Sequence, residues 1–265
     1  EFSVSAKLTP PYSLFSKTNY ATLGDLEEFK YRHVGTTYAG TDGVLVNEGD
    51  LVEALPSAEN PTPNRVTNIQ DAAADPSKVD QEKFKLLEYY KVKFKADWYT
   101  KIYGKLVLRS LSEFGFMGAY NQNRGSVPFE RFYLGGDGMA NFAMDGRETI
   151  QLRGYPNNSL TPINNAGEQL GATIYNKFSL EMRYPITLKA SASIYALAFL
   201  EAGSSYDSFK NYNPFSLNRS AGVGLRVFMP AFGLLGIDFA KGFDALPGQT
   251  APNGWETHFI IGQQF

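Results

Sequence analysis

The sequence predicts an all-β protein, a transmembrane antiparallel β-barrel to which this chain contributes about eight strands. Three observations carry the prediction. Eight segments alternate apolar and polar residues with period two, the connections between them alternate short and long, and aromatic residues gather at the strand ends.

Composition narrows the alternatives. The 265 residues include no cysteine and two histidines, His33 and His258, far apart in sequence, so neither a zinc framework nor thiol chemistry is expected. A formal net charge of -2 gives no electrostatic footprint for nucleic acid. No apolar run outlasts Ile194 to Leu200, far short of the roughly 18 to 20 residues of a membrane-spanning helix. A spanning strand needs only about 9 to 11. The chain starts at Glu1 with no basic-then-apolar leader, and is read as a mature chain or a fragment.

In chain order, Phe2, Val4, Ala6 and Leu8 alternate with Ser3, Ser5, Lys7 and Thr9. Residues 13–86 follow, polar and punctuated by Pro and Gly, and are read as one extracellular loop insertion, partly mobile. Within it "SKVDQEKFKLL" predicts a short helix with Ser77 as its cap. "YKVKFKADW" sets Tyr90, Val92, Phe94, Ala96 and Trp98 against Lys91, Lys93, Lys95 and Asp97. Residues 106–118 alternate poorly, with Arg109 and Glu113 sharing a face with Val107 and Leu111. After the long connection 119–170, Phe178, Leu180, Met182 and Tyr184 oppose Lys177, Ser179, Glu181 and Arg183. Strands over 191–203 and 219–229 come next, with Ala192 to Leu200 opposing Ser193 to Gly203, and Ala221 to Val227 opposing Ser220 to Arg226. Two more, near 234–243 and 255–265, close the chain.

The connections run very long (13–86), short (101–105), long (119–170), short (185–190), long (204–218), short (230–233) and medium (244–254). Short turns on one side and long loops on the other mark an outer-membrane barrel, with turns facing the periplasm. A soluble β-sandwich also alternates. Against it stand strands of 9 to 13 residues, longer than the soluble mode of about 5 to 6, and the end aromatics Tyr90, Trp98, Tyr184, Trp255 and Phe265. The last strand places Trp255, Thr257, Phe259, Ile261 and Phe265 on one face and ends on the aromatic.

"PFERFYLGGDGMANFAMDGRETIQLRGYPNNSLTP" resembles the long inward-folding sixth extracellular loop of the BamA family, the central barrels of the outer-membrane β-barrel assembly machinery. The matching residues are Phe132, Tyr133, Gly135 and Gly136, then the loop motif Leu152, Arg153, Gly154 and Tyr155. The family's partner motif is matched by "FLEAG", Phe199, Glu201 and Gly203, with Glu in place of the more usual Asp. "SAGVGL" resembles the glycine-bearing strand after it, including Gly222 and Gly224, and the terminal aromatic resembles the family's assembly signal. The resemblance runs in strand order from Glu1 to Phe265, interrupted by 13–86, and covers the last eight of an expected sixteen strands.

Several expectations come with this resemblance. Arg153 lies in the barrel lumen with Glu201 as its bidentate acceptor, Gly222 and Gly224 leave room for the loop tip, and Gly154 permits a tight reversal. Residues 255–265 form a seam strand, thinned at Gly262, that opens to admit client strands. The implied function is a non-enzymatic factor of the bacterial outer membrane that folds and inserts β-barrel proteins through a lateral seam. Implied partners are unfolded outer-membrane clients, accessory lipoproteins, outer-membrane lipid, and the N-terminal barrel half with its POTRA repeats. No catalytic residue, metal or cofactor is expected. Related readings are a two-partner-secretion or autotransporter-assembly barrel, and a free-standing eight-stranded structural or adhesin barrel. "GGDGMANF" is read as a tight loop rather than a phosphate cradle, since no helix pattern follows it. Lysines 91, 93 and 95 are read as a hydrated lumen wall.

Overall fold

The computed structural model describes residues 1–138, 147–164, 167–189, 192–230 and 233–262. The described chain forms two compact units. The first is Glu1–Leu8, Tyr89–Gly118 and Ser126–Phe265; the second is Thr9–Glu88 with Ala119–Gly125.

In chain order the strands are β1 (Phe2–Leu8), β2 (Tyr38–Ala39), β3 (Leu45–Val46), β4 (Tyr90–Tyr103), β5 (Leu106–Gly118), β6 (Phe132–Leu134), β7 (Glu148–Ile150), β8 (Ile174–Lys189), β9 (Ala192–Tyr206), β10 (Asn218–Met229), β11 (Gly233–Ala245) and β12 (Pro252–Gly262). The helix α1 spans Pro76–Phe84. Eight strands build one antiparallel sheet in the order β1-β4-β5-β8-β9-β10-β11-β12. β1 and β12 are its two edges.

The two faces of this sheet are inverted relative to a soluble protein. Val4, Leu180, Leu200, Val223, Phe259 and Trp255 are exposed on the outer face, Trp255 by 69%, whereas the inward Glu181 is only 2% exposed. Apolar side chains left open in a row across neighbouring strands require an apolar medium, and a bilayer supplies it. The charged face is instead covered by the long connection between β5 and β8. This arrangement excludes the β-sandwich, whose apolar faces pack on each other.

Strands run longer than the apolar rhythm indicated. β4 continues through Lys101 to Tyr103, and β8 passes Pro185 to reach Lys189. In both places the ladder absorbs the irregular residue at a register shift, between Lys101 and Tyr103 and between Pro185 and Thr187. In β8 the residue left unpaired is Ile186, between Pro185, which pairs with Tyr195, and Thr187, which pairs with Ile194. On β5, Arg109, Leu111 and Glu113 face inward, opposite Tyr99, Asp97 and Lys95.

The second unit, which contains the expected loop insertion 13–86, is compact. It buries Leu23, Val46, Val52 and Ala72, and pairs β2 with β3. Its polar interior is satisfied: Glu88 accepts from the Ser13 backbone at 2.7 Å and from Arg124 Nη1 at 2.7 Å. Arg124 also donates to the carbonyls of Lys83 and Leu86. The cap of α1 is Asp75, not Ser77; its carboxylate accepts from the backbone N–H of Ser77 at 3.0 Å and of Lys78 at 3.4 Å. Pro76 at the first helical position fixes the start two residues earlier than the serine suggested.

Candidate functional site

The inward connection is organised by its own backbone before any side chain reaches the wall. β6 and β7 pair in parallel, joining Phe132 to Glu148 and Leu134 to Ile150. The ladder is extended by a reciprocal pair in which Gly136 N donates to Leu152 O at 3.0 Å and Leu152 N donates to Gly136 O at 3.1 Å. Thus "FYLGG" is the backbone template on which "LRGY" is laid. Of "GGDGMANF", residues 139–142 lie outside the described residues.

At its root this template is fixed to β4. Lys91 Nζ lies 2.7 Å from Glu148 Oε2 and 3.3 Å from Glu130 Oε2, while Lys93 Nζ reaches Glu148 Oε1 at 2.7 Å. Burial raises the Glu148 carboxyl, but the hydrogen bonds from Lys91 and Lys93 outweigh it and hold Glu148 below the usual carboxylate range. Lys91 and Lys93 are therefore loop anchors as well as lumen wall. Lys95 pairs with Glu113 at 3.6 Å.

The motif arginine is buried among three carboxylates. Arg153 donates to Glu201 from its backbone N (2.8 Å), Nε (3.1 Å) and Nη2 (2.6 Å). Nη2 also reaches Glu181 at 3.0 Å, and Nη1 reaches Asp238 at 3.1 Å. The guanidinium carbon stands 3.5 Å from the Phe199 ring centroid, so the cation has an aromatic floor. Burial alone would lower the Arg153 pKa, but Glu201, then Glu181 and Asp238, raise it. Arg226 forks onto Asp238 at 2.6 and 2.7 Å, and Arg183 lies 2.5 Å from Glu181. The result is a chain of alternating charge, Arg183–Glu181–Arg153–Asp238–Arg226, running across β8, the loop, β11 and β10 with Glu201 at its centre.

The tip beyond the arginine meets β10, β11 and β12. Gly154 has φ +87°, and a Cβ there would lie 2.8 Å from Ser220 Cβ and 3.1 Å from Gly242 N, so only glycine fits. Its N–H donates to His258 Nε2 at 2.8 Å, and its carbonyl accepts from Asn253 Nδ2 at 3.0 Å. Tyr155 is fully buried and donates its hydroxyl to Arg219 O at 2.7 Å. Leu152 is also fully buried and lies over Gly203, whose absent Cβ would stand 3.3 Å from Leu152 Cδ1.

The structure brings Leu152, Arg153, Gly154 and Tyr155 together with Phe199, Glu201 and Gly203. It corrects the role given to Gly222 and Gly224. Room at Gly222 is taken by the Phe199 ring, 2.5 Å from an added Cβ, and room at Gly224 by the Asp238 carboxylate and Arg226. The glycine that the loop tip approaches is Gly242, where an added Cβ would meet Gly154 O at 2.5 Å.

Trp255, Phe259 and Ile261 lie on the outer face, and Gly262 pairs with Leu234 on the inward register. Phe265 lies outside the described residues. Glu181, Asp238, Gly242, Asn253 and His258 were not singled out from the sequence. A parity signal for Glu181, Asp238, Gly242 and His258 was present, since each sits at an inward position of a strand whose outer face is apolar. Among the described residues no group of His, Cys, Asp and Glu could hold a metal ion.

Residues 79–265 match the family model described as the Omp85 superfamily domain. The match starts inside α1, so β1 and most of the second unit lie outside it, a narrower span than the motifs suggested. No curated protein matches the chain at a significant level. Among solved structures, the crystal structure of BamA from Haemophilus ducreyi lacking POTRA domains 1-3 is similar at 18% identity and a TM-score of 0.46, over 64% of this chain and 34% of that one. The chain thus spans about a third of that relative's length. With the domain model covering more than half of its residues, the chain belongs to the Omp85 superfamily of outer-membrane assembly and secretion barrels.

Proposed function

We propose that the chain is the C-terminal barrel half of a BamA-like insertase, which folds and inserts β-barrel proteins into the outer membrane. The observation that carries this reading is the docked loop that braces the wall from within. Five strands, β8 to β12, are tied to the docked loop through Arg153, Gly154 and Tyr155. A strand with one unpaired side offers its backbone N–H and C=O groups to an incoming strand, which adds by β-augmentation. In this reading unfolded outer-membrane proteins are the clients, and β12 is one lip of a lateral seam. The N-terminal barrel half, POTRA repeats and accessory lipoproteins complete the machine, and the second unit is an extracellular insertion between β1 and β4.

A photo-crosslinking residue placed at Phe259 or Ile261 of the intact protein in cells tests this. Adducts with several nascent outer-membrane barrel proteins are expected, with none from the same residue at Leu200 in the middle of the sheet. Adducts confined to one exported passenger would turn the assignment to the secretion branch of the superfamily.

A further inference from the structure

Both backbone polar groups of the motif glycine are held by one strand, and that strand is the sheet edge. His258 Nε2 takes the Gly154 N–H, and Asn253 Nδ2 gives to the Gly154 carbonyl while also reaching Glu256 Oε1 at 3.1 Å. His258 is only 4% exposed, so this contact is shielded from water. Arg153, one residue earlier, is bound to β8, β9 and β11. Two neighbouring residues therefore divide the work: Arg153 fixes the loop to the wall, and Gly154 fixes the loop to the edge.

We propose that His258 and Asn253 form a clasp that couples the edge strand to the docked loop, and that protonation of His258 opens it. The inference rests on the reading of β12 as the seam strand. A nitrogen that accepts from an N–H must carry a lone pair, so His258 is neutral here with its proton on Nδ1. Once Nε2 is protonated, two N–H groups face each other at 2.8 Å and the contact becomes repulsive. The charged groups around the ring come from every neighbouring element: Asp238 on β11, Glu256 on β12, Asp137 and Arg153 on the loop, and Glu201 on β9. The carboxylates among them give an imidazolium somewhere to settle after it turns from Gly154. Asn253, at the start of the same strand, then holds the tip alone, and β12 beyond it leaves its register without dragging the loop.

His258 is a positioning residue in this scheme, and its signature is a pH profile. Hydrogen exchange of the intact protein in lipid nanodiscs, followed for the segments 150–158 and 252–262 and corrected for the chemical exchange rate, reads both sides of the clasp. The 252–262 segment and the Gly154 amide within 150–158 are expected to be protected at pH 8 and to lose protection together at pH 5, while the Arg153 amide on Glu201 stays protected. His258→Gln keeps an acceptor that does not titrate and should stay protected at both values. His258→Phe should be unprotected at both. A His258→Gln protein that still follows the wild-type pH profile, or a His258→Phe protein as protected as wild type, overturns the proposal. The Gln variant decides the matter if the Phe variant does not assemble. Client insertion by the same variants separates the two readings. Exchange as stated with insertion indifferent to residue 258 and to pH leaves the clasp and sinks the seam role; exchange that ignores residue 258 sinks the clasp whatever insertion does.

Discussion

Arg153 shows how one side chain organises a face otherwise made of charge. A guanidinium offers five donors in a rigid plane, and here they meet carboxylates from three strands. Removing a buried ion partner leaves the others uncompensated, at about 3 to 5 kcal/mol. Arg153→Glu goes further by placing a fourth carboxylate among Glu181, Glu201 and Asp238. The expected result is an undocked loop, read as protease cleavage within 147–162 on intact cells at concentrations that spare the native protein. Wild-type protection and growth in a strain dependent on this protein would remove the loop's proposed role.

Glu148 carries a second prediction at the same scale. Its pKa is depressed in the folded state by Lys91 and Lys93, so its contribution is present above the unfolded value of about 4.3 and is lost as pH falls through the lower folded value. The root of the loop should therefore stay docked at pH 5 and release only in stronger acid. Acid titration of protease protection at 126–134 checks this, and Glu148→Gln should weaken protection already at neutral pH.

At the scale of elements, the sheet was largely legible because period two survives where one face meets lipid and the other meets charge. β4, β8, β9 and β10 could be read with their faces assigned, Glu201 included. What escaped has specific causes. Pro185 reads as a strand end, yet a bulge carries β8 past it to Lys189. Ser77 has the right residue type to cap α1, but Asp75 before Pro76 has the better geometry. Gly222 and Gly224 were correctly placed inward, but which neighbour fills a glycine's space depends on rotamers of Phe199, Asp238 and Arg226, and a linear pattern does not carry these. Gly242 and His258 were missed for a related reason: their partner, the tip at Gly154, lies about a hundred residues away and touches them only after the loop has folded inward.

At the scale of the whole molecule, the chain is a membrane sheet with a folded excursion built into one of its connections. Leu8 and Tyr90 are direct partners in the β1–β4 ladder, so a short turn can join them. Replacing residues 9–89 by such a turn, with Arg124→Ser to avoid stranding a guanidinium that now binds Glu88, should leave the sheet able to insert. Retained heat-modifiability of the shortened protein on gels is the expected result; its loss would show that the sheet depends on the second unit.

The β1–β4 ladder also sets an order of events. From β4 to β12 most neighbours in the sheet are joined by hairpins or modest loops, whereas β1 must find β4 across residues 9–89. Closing so long a loop costs little at equilibrium, since each doubling of length adds only about 0.6 kcal/mol. The same separation weighs on speed, because contacts distant in sequence form late. β1 is therefore expected to dock last unless the second unit folds first and brings its two ends together, acting as an internal splint for the first pairing of the sheet. Refolding into micelles should show a slow phase confined to β1, and a destabilised second unit should lengthen it.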